Sequence, residues 1–410
     1  SFPGIGPGET FSYTFAVPQS GTYWYHSHSG LQEQQGHYGP LIIDPAGTDP
    51  VACDREYVLV LSDWSFEHPH RIFEKLKASA ESYNFNKRTV GDFIEDAREQ
   101  GAGAALSDRA MWGGMRMSPR DIADVTGATY TYLVNGHSTL DNWNGVFTPG
   151  ERVRLRIINA AADTAFRFAV GGHPLTVTHS DGFPVQPEQA QCLLIGMGER
   201  YDAIITLQDG AFPIVAAAEG KDGSGFAVLR TGPGAAPQSS VRPAELSAAP
   251  VMADRLRSLD TVRLSAREPD RTYDIALGME MGGYTWTLNG ETYEQHTPLD
   301  VREGERVRLR FVNATTMFHP MHLHGMWMEL ENGRVDAIVN DSIAAILAMG
   351  EKEQEFEMFG DPTTEPFGAG IAIREGNPEL ATEMQAALDS MMEDGTYLAI
   401  AEEWIGADIR

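Results

Sequence analysis

The chain has 410 residues, 42% of them hydrophobic, which is enough for roughly two to four domains with sizeable cores. Its formal charge of −27 argues against nucleic acid or an anionic membrane as a partner. No run of about 18 apolar residues is present to span a bilayer, and two cysteines, Cys53 and Cys192, are too few to staple a fold of this size, with their pairing left open.

The chain opens at Ser1-Phe2-Pro3-Gly4 without Met or a charged-then-apolar leader, so any export signal is expected to lie outside this sequence. Residues 1–47 read as strands. Thr10 to Val17 alternates, Gly21 to His28 alternates again, and Gly39 to Ile43 is a short apolar run closed by Asp44-Pro45. This is the edge of a β-sandwich, too small to fold alone. Inside it, Tyr23-Trp24-Tyr25-His26-Ser27-His28-Ser29-Gly30 carries a His-x-His pair. Alternate strand positions share a face and aim two imidazoles at one metal, and neutral imidazole suits copper and zinc. Arg55 to Asp63 is a further strand. From about Phe66 to Asp124 the sequence turns charged and helix-tolerant, and this reads as a long insertion. Its Met111, Met115 and Met117 are expected to pack rather than bind cuprous ion, and His68 and His70, beside Pro69, are expected in a surface turn.

Strands resume at Thr129, where an internal repeat begins. Leu133-Val134-Asn135-Gly136 followed by Gly150-Glu151-Arg152-Val153-Arg154-Leu155-Arg156-Ile157-Ile158-Asn159-Ala160 recurs 154 residues later as Thr287-Leu288-Asn289-Gly290 followed by Gly304 to Ala314. These are two copies of one sandwich domain's front half. A weaker echo links Gly8 to Phe15 with Gly198 to Ile205, each leading to a short apolar strand, and marks the back half. The first unit therefore shows only a back half, the middle unit both, and the third only a front half. Ala235 to Ala253, rich in Pro, Ala and Ser, reads as the linker between the last two. The two flanking halves are expected to pack on each other.

Near the end of the third unit stands Phe318-His319-Pro320-Met321-His322-Leu323-His324-Gly325, with its last two histidines on one strand face. Five of the chain's twelve histidines lie in this stretch and in the pair at His26 and His28. Past Asn332 the character changes: residues 333–410 hold 17 acids against 4 basic residues and no histidine. Asn377-Pro378 starts a helix whose apolar stripe is Leu380, Met384, Leu388 and Met391. The third domain stops halfway.

On these residues, positions 1 to about 332 resemble the three-domain multicopper oxidases of the periplasmic copper-resistance protein A family. The matching text includes Tyr23 to Asp44, Ser62-Asp63-Trp64, Tyr83-Asn84-Phe85, Lys87 to Phe93, Asp121 to Tyr130 and Met317 to Asn332. The resemblance implies a periplasmic copper enzyme that oxidises cuprous ion or small phenols and reduces dioxygen to water. It implies His26 and His28 as type 3 copper ligands, His322 as a type 2 ligand, His324 as type 3, and His319 as a type 1 ligand. The family's first His-Trp-His segment would precede Ser1. Its last His-Cys-His segment should lie beyond Leu330, where neither His nor Cys occurs, so an incomplete oxidase is expected.

Residues 333–410 resemble instead the C-terminal end of a periplasmic amino-acid-binding protein of an ABC transporter, through Gly333 to Asp341, Glu365-Pro366-Phe367-Gly368, Ile371 to Leu380 and Asp394 to Tyr397. The resemblance implies that Asp341 meets a ligand's ammonium group. The expected class is mainly β, with cupredoxin-like sandwiches and a C-terminal α/β tail. Residues 1–47 are the C-terminal half of a first domain, 48–235 a complete second domain with a helical insertion at about 66–124, 236–332 the N-terminal half of a third, and 333–410 the fused tail. The alternatives are an amino-acid-binding transport component and a non-catalytic copper-binding protein.

Overall fold

The computed structural model describes the chain except for residues 1–4, 7, 16, 18, 80–81, 84–89, 100, 107–108, 110–124, 142, 280–283, 314–318, 322, 324–327, 331–336, 342–355, 359–368, 375–381, 383–385, 387–389 and 391–410. The chain divides into two compact units, Ser1–Arg88 with Trp112–Glu329, and Thr89–Met111 with Leu330–Arg410.

The first unit opens on a hairpin, β1 (Gly21–His26) antiparallel to β2 (Tyr38–Ile43). β3 (Arg55–Trp64) and helix α1 (Pro69–Ala78) follow. Pro69 is pre-set for the first helical turn, and the His68 ring takes the cap role by accepting from His70 N at 3.3 Å. The expected surface turn is thus a helix start. Helix α2 (Val90–Glu99) belongs to the second unit.

The first unit continues with β4 (Thr131–Val134), β5 (Trp143–Val146), β6 (Arg152–Asn159), β7 (Phe166–Val170), β8 (Leu175–Ser180), β9 (Phe183–Ala190), β10 (Leu193–Ile195), β11 (Arg200–Thr206), β12 (Ala211–Ala218) and β13 (Ser224–Arg230). One sheet runs β10-β7-β12-β13-β5 and the other β4-β3-β6-β11-β8-β9. A single apolar cluster joins them, with Leu59, Leu61, Leu155, Phe166, Phe168, Leu175 and Ile214 fully buried. Each such side chain contributes roughly 1.5–3 kcal/mol on leaving water.

A smaller sheet of order β15-β14-β16 follows, made of β14 (Arg271–Met279), β15 (Trp286–Leu288) and β16 (Val307–Asn313). The internal repeat holds here at the level of single hydrogen bonds. Asn135 and Asn289 both sit in the left-handed region, at φ 52° and 55°. Asn135 Oδ1 accepts from Val60 N at 2.7 Å and its Nδ2 donates to Val58 O at 3.0 Å. Asn289 does the same with Ala276 N at 2.7 Å and Asp274 O at 3.2 Å. β3 runs parallel to β6, and β14 parallel to β16. Asparagine is used because it tolerates positive φ while its amide replaces missing ladder partners.

The copies differ in what covers them. β6 alternates core residues Val153, Leu155 and Ile157 with Arg152, Arg154 and Arg156, a pattern that by itself would put the arginines in water. Arg154 and Arg156 are instead 1% and 2% exposed. The hairpin lies over them. Thr22 donates its hydroxyl proton to Asp202 Oδ1 at 2.7 Å and accepts from Arg156 at 2.9 Å. Arg154 Nε donates to Asp202 Oδ2 at 3.0 Å and its Nη1 to Asp49 at 2.7 Å, while Arg156 forks onto Glu56 at 2.9–3.0 Å. Burial alone would lower the Arg154 pKa, but Asp202 and Asp49 outweigh it and hold the guanidinium above its usual value. Gly21 and Gly182, with φ of 144° and 89°, meet where any side chain would collide: a Cβ on Gly21 would stand 2.4 Å from Gly182 O. In β16 the equivalent Arg310 pairs with Asp274 at a surface where both side chains are 61% exposed.

One expectation changes here, that of a free linker. Among the described residues β1 and β2 form a sheet of their own, and β1 is fastened to β6 and β11. A buried charge cluster needs a polar lid, and Thr22 supplies it. The Pro/Ala/Ser-rich stretch is a packed strap, with Val251 exchanging backbone bonds with Cys192 O at 2.9 Å and Leu194 N at 3.1 Å. Its Val251 is buried, as is Leu256 just beyond it, and Val241 and Leu246 pack on a small cluster around Phe226.

In the second unit, β17 (Ala337–Asp341) and β18 (Phe356–Met358) each pair antiparallel with β19 (Ala369–Arg374). Asp96 of α2 pairs with Arg109 at 3.0 Å. Met111, Met115 and Met117 lie outside the described residues, as does most of the helix proposed after Asn377.

Candidate metal centre

Period two puts Thr22, Trp24 and His26 on one face of β1, with Thr22 in the charge cluster and His26 at the open end. Trp24 lies flat on the His26 ring, with centroids 4.0 Å apart and planes 13° from parallel. Beyond His26 the backbone turns. Ser27 N donates to His37 O at 3.0 Å, Ser29 N to Ser27 Oγ at 3.1 Å, and the Ser27 hydroxyl to Gln32 Oε1 at 2.7 Å. This turn brings His28 against His26, Nε2 to Nε2 at 3.3 Å.

Imidazole nitrogens bind a first-row metal at about 2.0–2.1 Å, so two donors 3.3 Å apart subtend ~105–110° at a shared ion, close to tetrahedral. Burial, and then the neighbouring His28, lower the His26 pKa, favouring the neutral ring that a metal requires. The pair thus fits copper in donor type and spacing. Among the described residues no third His, Cys, Asp or Glu completes a cluster with it.

The return loop holds the site to the sandwich through adjacent residues. Glu33 Oε1 stands 3.3 Å from His26 Nδ1. Gln34 Nε2 donates to Asp63 O at 3.3 Å and its Oε1 accepts from the Tyr130 hydroxyl at 3.2 Å. Asp63 is itself fixed by Ala162 N, Asp163 N and the Thr164 hydroxyl at 2.8–3.2 Å.

His319 stands edge-on to Trp286, centroids 5.2 Å apart. Pro320 beside it fills the space above Gly196, where a Cβ would approach it to 3.3 Å. His322 and His324 lie outside the described residues. Asp341 ends β17 in the second unit, where only its backbone is described.

Set beside known proteins, the chain is 36% identical over 419 residues to the copper resistance protein A homolog of Pseudomonas syringae pv. tomato, covering 81% of this chain and 71% of that relative. The chain belongs to the copper resistance protein A family of multicopper oxidases. The family is one of oxidoreductases with copper as cofactor. Multicopper oxidase MmcO of Mycobacterium tuberculosis is 41% identical over 324 residues, covering 78% of this chain and 60% of that one. Sequence models described as multicopper oxidase match residues 1–48, 55–234 and 265–342 of this family member. A model of bacterial extracellular solute-binding proteins, family 3, matches residues 310–407, so the tail's second resemblance stands as well. The L499M mutant of the laccase from B. aclada shares the fold, with a TM-score of 0.50 at 24% identity over 70% of this chain, which spans about half (49%) of the laccase.

Among the described residues of this multicopper oxidase, neither cysteine falls in a group of three or more possible metal ligands. Cys192 is buried, and burial pushes its thiol up to about 11; Cys53 is also raised, by burial and then by Glu56. No helix among the described residues is long and apolar enough to cross a membrane.

Spacing could not find Glu33, which reaches His26 only because the loop returns. Glu199 was missed likewise. It accepts from Gly196 N at 2.6 Å beneath Pro320, and burial, then Asp181, raise its pKa to about 7. Between about pH 4.5 and pH 7 the unfolded chain has released a proton that the folded chain keeps. Stability from this group is therefore full below the lower value and falls as pH rises, by on the order of 2–3 kcal/mol. Glu199→Gln is expected to flatten that part of the stability–pH curve; chemical unfolding at several pH values checks it, and an unchanged slope contradicts the assignment.

Proposed function

We propose that this chain is a periplasmic copper protein of the copper-resistance type, built for oxidation of cuprous ion or small phenols by dioxygen and lacking the thiolate relay of a complete oxidase. The observation that carries this reading is the 3.3 Å approach of His26 and His28 Nε2, with Trp24 stacked on the His26 ring. Copper held there would supply the one-electron steps by which four electrons and four protons turn dioxygen into two waters. The chain's own part is to present His26 and His28 lone pairs, with His322 and His324 as the further ligands and His319 at the electron-entry copper, and to shield His26 with Trp24. Residues 333–410 hold no His or Cys, and Cys53 has no flanking His pair. We place the domains at 1–47, 48–235, 236–332 and 333–410.

The test is copper loading followed by absorption spectroscopy and oxygen uptake with a phenol. Retained copper without an intense blue band, and oxygen uptake near background, is the expected result. A blue band with four-electron oxygen consumption overturns the missing relay, and absence of retained copper overturns the whole reading. The match of residues 310–407 to solute-binding proteins supports a second reading, amino-acid binding by the tail around Asp341. Saturable binding of a radiolabelled polar amino acid by the metal-free chain would favour it.

A further inference from the structure

We propose that Glu33 is the positioning residue of the His26/His28 pair: its carboxylate holds the proton of His26 on Nδ1, turns the Nε2 lone pair toward His28, and thereby sets the pair's affinity for copper. The inference rests on the copper-binding reading above and concerns how that site is built. A neutral imidazole carries one proton, on either nitrogen, and its second partner decides which. His26 Nδ1 is shut off from solvent, so water does not make that choice. The Glu33 carboxylate faces it at 3.3 Å. That is longer than the ~2.7–2.9 Å of a charge-assisted hydrogen bond, yet near enough for the negative charge to favour the proton on Nδ1. Nε2 is then a lone pair, and His28 can donate its own Nε2 proton across the 3.3 Å gap until a metal replaces that proton.

The carboxylate is delivered by a braced loop. Gly36 N donates to Glu33 O at 2.9 Å, and the neighbouring Gln34 is held by Asp63 and Tyr130. A ring whose Nε2 engages a cation has a more acidic Nδ1–H, so the contact with Glu33 strengthens on binding, and loss of such a partner typically costs tenfold to a hundredfold in metal affinity.

The test uses the full chain with nitrogen-15 histidine, free of metal. The His26 ring signals, identified by their loss in His26→Ala, are expected to report the Nδ1–H form. Glu33→Ala should shift them toward Nε2–H, and Glu33→Gln, which keeps a carbonyl acceptor, should restore the original form in part. Cuprous-ion affinity, read by competition with a coloured chelator, should fall tenfold to a hundredfold in Glu33→Ala, recover partly in Glu33→Gln, and fall no further when Glu33→Ala is added to His26→Ala. An unchanged tautomer overturns the proposal, as does an equal affinity loss in the His26→Ala background. A wild-type chain that binds no copper defeats the functional reading instead, and the tautomer measurement still decides the role of Glu33.

Discussion

Replacing Asp202 with alanine is expected to cost up to about 3–5 kcal/mol of folding stability, because it removes the carboxylate that two buried guanidinium groups share and leaves Arg154 only its contacts with Asp49 and Glu56 and Arg156 its fork onto Glu56. Asp202, Arg154 and Arg156 are 1%, 1% and 2% exposed, and one carboxylate serves both arginines and the Thr22 hydroxyl. Attraction between such groups roughly offsets the cost of drying them, so the intact cluster adds little; the loss comes from breaking it. Urea unfolding followed by circular dichroism measures it, and a loss below about 1 kcal/mol would mean that water enters the cluster. The internal repeat supplies the control. Asp274 pairs with Arg310, the counterpart of Arg156, on an open surface, so Asp274→Ala should leave the unfolding midpoint almost where it was. Thr22→Val keeps the shape and deletes only the hydroxyl, which should cost about 1–3 kcal/mol and loosen the hairpin that carries His26.

The second large effect concerns copper. His26→Ala or His28→Ala is each expected to reduce copper affinity by more than the tenfold to hundredfold typical of losing a second-sphere partner, since each removes a donor atom from the pair. Neither ring belongs to the sandwich core, so the unfolding midpoint should hold while metal content after dialysis falls. If either variant retains copper like the parent chain, the pair is not the site.

Several features were legible without coordinates because they are local. The β1 alternation that puts His26 on the face of Trp24, the strand pattern of Arg152 to Asn159, and the Asn-Gly turns at Asn135 and Asn289 follow from backbone geometry that a few residues impose. The two resemblances were legible for the same reason, as continuous text. The burial of Arg154 and Arg156 was not, because whether a polar strand face meets water or another segment is settled by a hairpin more than 100 residues away. Glu33 was hidden too: its approach to His26 depends on how the loop from Ser27 to His37 closes. The strap from Ala235 to Ala253 has the composition of a free linker, yet Val251 continues the ladder beside Cys192.

The order of amino acids alone determined that this protein is a β-rich member of an oxidase family with paired imidazoles, and that its last residues resemble a different kind of protein, since periodicity, repeat and motif are written in neighbouring positions. Only the tertiary structure decided that the His26/His28 hairpin is fastened to the middle sheet through Thr22, and that a carboxylate stands behind His26. Those outcomes depend on which distant surfaces exclude water from each other, and no short stretch of sequence specifies that.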